Sequence, residues 1–474
     1  MNDLTRRQVL QLGSLGAVGL VAGCSRASSL IRPGPAVHKS QDGLLEVRLP
    51  VRFGPVELAG SRAELFSYDG RVPGPRLELA AGDTLRLTLE NRLKEPTNLH
   101  FHGLHVSPAG NSDNVFLEIP PGEALTYEVK IPKDHPAGTF WYHPHYHGLV
   151  GKQVFLGLAG PLVIRGELDR VPEVAAADEA FAVLKDFALS NGRVPPPSRM
   201  ELVAGREGSL ITVNGKQLER FALKKNGLLR LRLLNASASR FYRLRLDDHP
   251  FYLIATDAGA LAEPVELKEL LLAPGERAEV LIQGNRAPGR YRLLDLGYDR
   301  GGPGRRMGLF TAGRTTLAEL VYEGEARPAL PLPAKLLPLE PLPAPVRVRR
   351  FILGHAMRPG RGMVFVINGQ TFDPRRTDVR ARLGEVEEWE VANFGVMDHP
   401  FHLHTNPFQI VSVNGRPYPY LAWKDVVNVR PGERVRFRVG YRDFTGRAVY
   451  HCHILDHEDL GMMGVIAFEG VGGA

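Results

Sequence analysis

Cysteine is almost missing from these 474 residues; the chain has two, Cys24 and Cys452. The first sits in a leader-like stretch, so an exported mature chain keeps one thiol and cannot close an internal disulfide. Such a thiol is explained most simply by a metal, against the ordinary alternative of an inert buried cysteine. Runs of like charge are lacking as well. The net charge is +7 and the isoelectric point is near 9.3, but the basic residues stand in nothing longer than adjacent pairs such as Arg349-Arg350. That describes a dispersed basic surface and gives no reason to expect nucleic acid as a partner. The apolar stretch ending at Gly23 is too short and too broken by glycine for a membrane span. Long helical periodicity is absent too. A charged fraction of 23% and a hydrophobic fraction of 43% exclude a disordered chain. The length exceeds what one core organises and implies two to four domains.

Residues 1–37 read as an export signal and tail. Thr5-Arg6-Arg7-Gln8-Val9-Leu10 resembles a twin-arginine signal; the alternative is an ordinary secretory signal with two chance arginines. Val21-Ala22-Gly23-Cys24 resembles a lipobox, in which the cysteine is lipidated; the alternative is a small-residue cleavage site before an unmodified Cys24. The expectation is an exported protein of the periplasm or cell envelope with a lipid anchor at Cys24, which as a single chain would hold only weakly.

What is present instead is period-two alternation in short runs such as Thr84-Leu85-Arg86-Leu87-Thr88-Leu89, bounded by Gly, Pro, Asn and Asp. This is the patterning of β-sandwiches. Pro-Gly-Glu followed by such a run occurs at Pro121, Pro274 and Pro431. Asn-Gly recurs at Asn214 and Asn368. His249-Pro250-Phe251 matches His399-Pro400-Phe401. These recurrences predict an all-β chain of three related sandwich domains at 38–167, 168–326 and 347–474. A short Ala/Glu-rich helical segment is expected after residue 167. The proline-interspersed stretch 327–346 reads as a semi-rigid linker, since it cannot sustain a helix or central strand. The middle copy carries Tyr252 and Ile254 where the last carries His402 and His404. It keeps the scaffold without the imidazoles, so metal chemistry should be shared between the first and last domains, which must then touch.

Ten of the 16 histidines fall in four groups: His100 and His102; His143 and His145; His399, His402 and His404; and His451, His453 and His457. On extended backbone, residues two apart face the same side, so each His-X-His presents two imidazoles together. In Tyr450-His451-Cys452-His453, the cysteine then points opposite to its neighbours, and one strand serves two metal sites. Cys452 with His399, His457 and an axial Met462 makes the two-histidine, cysteine, methionine donor set of a blue-copper electron-transfer centre, and thiolate and thioether ligands favour copper. Eight histidines remain for three further copper ions, with positions open for dioxygen. The backbone from Cys452 to its neighbours wires one site to the other.

Together these motifs resemble those of bacterial laccases of the multicopper oxidase family, over essentially the whole mature length. The resemblance implies three cupredoxin-like Greek-key β-sandwich domains, four copper ions, and one-electron oxidation of phenolic or aromatic amine donors coupled to four-electron reduction of dioxygen to water. By it, type 1 copper is bound by His399, Cys452, His457 and Met462, and type 2 by His100 and His402. The type 3 pair is bound by His102, His143, His145, His404, His451 and His453. Dioxygen reduction consumes protons, and the family's acidic positions fall on Asp113 and Glu458 as proton-delivering groups. The remaining partners expected are dioxygen and a small aromatic reductant or metal ion, with the protein a monomer. Two other readings compete. One is a metal-ion oxidase acting on Cu(I), Fe(II) or Mn(II) in copper tolerance, weakened because the loop Gly297 to Phe310 holds only Met307, although Met397 lies two residues before His399. The other is a non-enzymatic envelope copper-binding or electron-transfer protein, opposed by the retention of all twelve ligands.

Overall fold

The computed structural model describes residues 36–302, 313–360 and 362–470. Arg6, Arg7, Cys24 and Met307 lie outside them. Among the described residues no helix is long and apolar enough to cross a membrane.

The chain is all-β, and among the described residues six sheets pair into three sandwiches. The first packs a five-stranded sheet on a four-stranded one, the middle six on five, and the last seven on five. Each sandwich has its own core, centred on residues such as Leu87 and Phe140, Leu231 and Leu244, and Trp389 and Phe401. Period-two alternation produces these layers directly: Thr84–Asn91 buries every second side chain.

The same three-strand unit appears three times. Leu44–Leu58 lies parallel to Thr84–Asn91, which is antiparallel to Ala124–Lys130. Asp178–Phe187, Leu228–Asn235 and Arg277–Gln283 repeat that arrangement, and so do Arg347–Arg358, Val386–Asn393 and Arg434–Gly440. The Pro-Gly-Glu turns enter the third strand of each unit. Their glycines take φ of 84°, 84° and 77°, a left-handed conformation that glycine adopts without steric cost.

Facing each turn is an asparagine at the end of the preceding strand, Asn91, Asn235 or Asn393. In all three copies its backbone brackets the turn glycine. Its Nδ2 donates to two main-chain carbonyls, and its Oδ1 accepts a backbone N–H two residues on. One buried amide thus satisfies three main-chain groups in a corner that no strand ladder can reach. The first copy also turns through Asp69-Gly70, with φ of 49° and 68°, where the others use Asn-Gly.

A 3-10 turn, Glu167–Arg170, and a short helix, Pro172–Ala176, follow the first sandwich. Residues 324–345 carry no strand or helix. Leu336 N–H donates to Ala262 O, and Leu342 N–H to the side chain of Gln409, so this strap lies against both the middle and last sandwiches.

Candidate metal centre

Register assembles the histidines. In the first sandwich His100–His102 pairs antiparallel with Gly138–His143, setting His100 opposite His143 and His102 opposite Trp141. Those four rings share one face, while Phe101 and Tyr142 point into the core. In the last sandwich His399–Leu403 pairs with Gly446–Cys452, so that His402 faces His451 and Phe401 faces Cys452. His402, His404 and His451 therefore occupy one side of the sheet, and His399 and Cys452 the other.

The two histidine faces meet. His100 stacks on His404 at 3.9 Å between ring centroids and His102 on His402 at 3.9 Å, each pair joining the first sandwich to the last. His451 Nε2 lies 3.2 Å from His145 Nε2 and 3.1 Å from His404 Nε2. The His453 ring is 5.0 Å from His102 and 5.7 Å from His143. Potential ligand atoms of His100, His102 and His143, of His100, His402 and His404, and of His145, His404 and His451 fall within 4.8 Å of one another in each set. All eight side chains are buried.

The hydrogen bonds decide which nitrogen each ring offers. His100 Nδ1 faces Asp113, and His143, His402 and His451 turn Nδ1 to the carbonyls of Pro144, Asp425 and Cys452. A neutral imidazole has one N–H, so an acceptor at Nδ1 leaves the Nε2 lone pair for a metal. His102 is reversed, with Nε2 3.1 Å from Asp425 Oδ1. Accordingly His100 Nε2, His102 Nδ1, His143 Nε2, His402 Nε2 and both nitrogens of His453 are buried without a protein partner. Each such orphan costs about 1–3 kcal/mol, and metal ions held among these rings would relieve one lone-pair nitrogen on each of them. Burial, reinforced by neighbouring histidines, pushes His143 down to about 3; burial lowers His145 to about 4, and His100, His102, His402, His404 and His453 lie well below the usual histidine range. The rings are neutral at pH 7, the protonation state that ligates copper.

Across the sheet, His399 Nδ1 is 3.4 Å from Cys452 Sγ, and His457 Nδ1 is 3.9 Å from Sγ and 3.4 Å from His399 Nδ1. Burial pushes the thiol well up, so thiolate forms there only with a cation to hold it. Met462 is buried in the same core cluster, its carbonyl accepting from Cys452 N–H. Helix Leu455–Asp459 carries His457.

Both predicted carboxylates are buried beside the histidines. Asp113 accepts from Phe101 N–H at 2.9 Å besides facing His100, and burial raises it to about 8. Glu458 lies 3.1 Å from His451 Nδ1 and 3.6 Å from His145 Nε2. Burial raises Glu458 as well, but its interactions with the adjacent His145 and His451 side chains outweigh it and hold this carboxyl below the usual range. His249, the middle copy's counterpart, is spent on Asp247 O and Tyr322 Oη.

Four residues at this site escaped sequence reasoning. Asp425 is 323 positions from His102, and Arg277, paired with Asp425, comes from the ligand-poor middle sandwich. Trp141 stacks on His143 at 4.1 Å. Val203 O accepts from His457 Nε2 at 3.0 Å. No local motif marks any of them.

Comparisons with known proteins agree with this geometry. Three family models, each described as multicopper oxidase, match residues 51–169, 176–323 and 345–469. The chain is 31% identical to the multicopper oxidase mco of Staphylococcus haemolyticus over 90% of its length and 89% of that protein. It is 32% identical to the cell division protein FtsP of Escherichia coli, covering 90% of each. A solved multicopper oxidase from Campylobacter jejuni, a metallo-oxidase, superposes with a TM-score of 0.83 at 33% identity, over 93% of this chain and 95% of that one. The chain belongs to the multicopper oxidase family. Its three sandwiches are cupredoxin domains, and copper is its cofactor.

Proposed function

We propose that the protein is a laccase-like oxidase that takes single electrons from phenolic or aromatic amine donors and passes them to dioxygen. Its domains span 38–167, 168–326 and 347–474, joined by the strap 327–346. The observation that carries this reading is the placement of Cys452 on one sheet face, with His399 and His457, while His451 turns to the eight-histidine cluster on the other. In this reading His399, Cys452, His457 and Met462 hold type 1 copper, His100 and His402 type 2, and His102, His143, His145, His404, His451 and His453 the type 3 pair. Bound copper supplies one-electron acceptance at the first site and four-electron reduction of dioxygen at the cluster. The protein positions the donor, joins the sites through the Cys452 backbone, and delivers protons from Asp113 and Glu458, buried carboxyls whose environments push their proton affinities apart.

Donor approach differs at the two type 1 histidines. His457 is closed by Val203 O and by Phe365, stacked at 3.8 Å. At His399 a Cβ on Gly395 would stand 3.6 Å from Nε2, and the flanking Phe394 and Val396 are 63% and 59% exposed. An apolar rim beside an imidazole fits a planar aromatic donor. Asp398, the nearest carboxylate in sequence, is occupied by Tyr298 and Asn428.

A metal-ion donor is the second reading, favoured by the likeness to the Campylobacter protein, a metallo-oxidase, and by Met397. A non-enzymatic envelope copper-binding or electron-transfer role is the third reading, against which stands the retention of all twelve ligands. The leader motifs support export, with a lipid anchor at Cys24. Oxygen uptake by the copper-loaded protein, with a phenol and with Cu(I) compared at equal concentration, tests the reading: faster phenol-driven uptake is expected. Uptake with Cu(I) alone would establish the metal-ion reading, and protein that stays reduced in air the non-enzymatic one.

A further inference from the structure

The middle domain contributes no copper ligand to the assignment above, yet one of its side chains reaches the cluster. Arg277 is fully buried, and each of its five N–H groups has an acceptor. Nη1 donates to Asp425 Oδ1 at 2.7 Å and to Gly275 O at 3.0 Å. Nη2 donates to Asp425 Oδ2 at 2.6 Å and to Asp257 O at 2.6 Å, and Nε donates to Thr139 O at 3.1 Å. Those acceptors come from all three sandwiches. A guanidinium with every donor used in a planar fork cannot rotate without losing several charge-assisted bonds, so it fixes the plane of the Asp425 carboxylate.

That carboxylate does one further thing: Oδ1 accepts from His102 Nε2. The main-chain carbonyl of the same residue accepts from His402 Nδ1 at 2.8 Å. His102 and His402 are the stacked pair, 9° from parallel, that joins the first domain to the last. Asp425 therefore sets the proton position on both rings, and sets them oppositely. His102 is the ring that must offer Nδ1, and it has no carbonyl of its own loop to enforce this. The glycine after it belongs to the same arrangement. Gly103 has φ of 88°, and a Cβ there would lie 2.2 Å from Arg277 Nη2 and 2.6 Å from Asp425 Oδ2, so the ion pair reaches the strand end only because that residue has no side chain.

We propose that Arg277 is a positioning residue for the copper cluster: by clamping Asp425 it holds His102 with Nε2 protonated and Nδ1 turned to the metal, giving the ligand-free middle domain a direct part in building the site. The proposal rests on the ligand assignment under Proposed function. Its role is separable from general stability, because loss of the clamp frees the tautomer of one histidine and leaves the type 1 site untouched.

The test compares wild type with Arg277→Gln, Arg277→Lys and Gly103→Ala. Copper per chain is measured under chelator competition, and the tautomer of His102 is read by nitrogen NMR on copper-free, 15N-histidine-labelled protein. Removing a group that orients a metal ligand costs typically 10–100-fold in metal affinity. Arg277→Gln is expected to lose cluster copper at a correspondingly lower chelator concentration, with His102 showing mixed tautomers and the blue absorption per chain unchanged. Arg277→Lys, which keeps the charge without the fork, should recover part of the affinity. Gly103→Ala keeps both charges but displaces them, and should behave like Arg277→Gln even if that variant folds poorly. Wild-type copper affinity and a single His102 tautomer in Arg277→Gln, or in Gly103→Ala where Arg277→Gln does not fold, would overturn this proposal alone. Failure of the wild-type cluster to bind copper would overturn the ligand assignment with it.

Discussion

Breaking the ion pair between Arg206 and Asp456 should destabilise the protein more than any surface charge removal. Asp456 precedes His457 on the helix Leu455–Asp459, and Arg206 follows the middle-domain helix Arg199–Ala204, whose Val203 carbonyl covers His457. The Asp456 carboxylate takes Arg206 Nη2 at 2.5 Å, Nε at 3.0 and 3.1 Å, and the Arg206 backbone N–H at 2.9 Å. The side chains are 8% and 1% exposed, so water does not replace a lost partner. Removing one member of such a pair costs about 3–5 kcal/mol. Asp456→Ala should cost about 1 kcal/mol more than Arg206→Ala, because it also strands a backbone donor. The double variant leaves neither charge of the pair without its partner and should be milder than the sum, with a coupling of roughly 2–3 kcal/mol. Urea unfolding of the copper-free single and double variants measures this. Additivity within about 0.5 kcal/mol, or equal costs for the two single variants, would refute the buried-pair argument.

Gly395→Leu should fill the approach to His399 and lower kcat/KM for a bulky phenol at least about tenfold, while stopped-flow reoxidation of reduced enzyme by dioxygen is unchanged; an unaffected phenol would move the donor site elsewhere. Glu458→Gln should keep full copper content and slow steady-state turnover roughly 100-fold, and wild-type kcat would remove Glu458 from proton delivery. His135, away from the copper sites, is pushed by burial down to about 4. The unfolded chain takes up this proton at about 6.5, so stability falls as pH drops from there and the loss is complete near pH 4, about 3 kcal/mol in all. His135→Gln should flatten that limb of a stability-against-pH curve, and an unchanged slope would refute it.

Much of this was legible in the sequence because the informative signals were local. A His-X-His on extended backbone fixes which side two rings occupy, and Cys452 between His451 and His453 is forced to the other. The Pro-Gly-Glu turns marked the three copies for the same reason. What escaped depended on distant partners. Asn91, Asn235 and Asn393 occupy identical corners, but an asparagine ending a strand looks like any turn residue until the carbonyls it meets are known. The Asp69-Gly70 turn was hidden by its aspartate. Asp113 lay in a loop of ambiguous register until its bonds to His100 and Phe101 N–H fixed it. Nothing local connects Asp425 to His102, or Val203 to His457, because folding of the domains onto one another creates those contacts. The middle copy's lost histidines pointed to a shared site between first and last domains, and gave no sign that Arg277 enters it.

The central claim is that Cys452 joins an electron-receiving site to the histidine cluster. It is tested most directly by copper stoichiometry and dioxygen consumption in Cys452→Ser beside wild type. The expected result is one copper fewer per chain, no blue colour and no donor-driven oxygen uptake, with the cluster copper retained. Undiminished uptake by Cys452→Ser would contradict it.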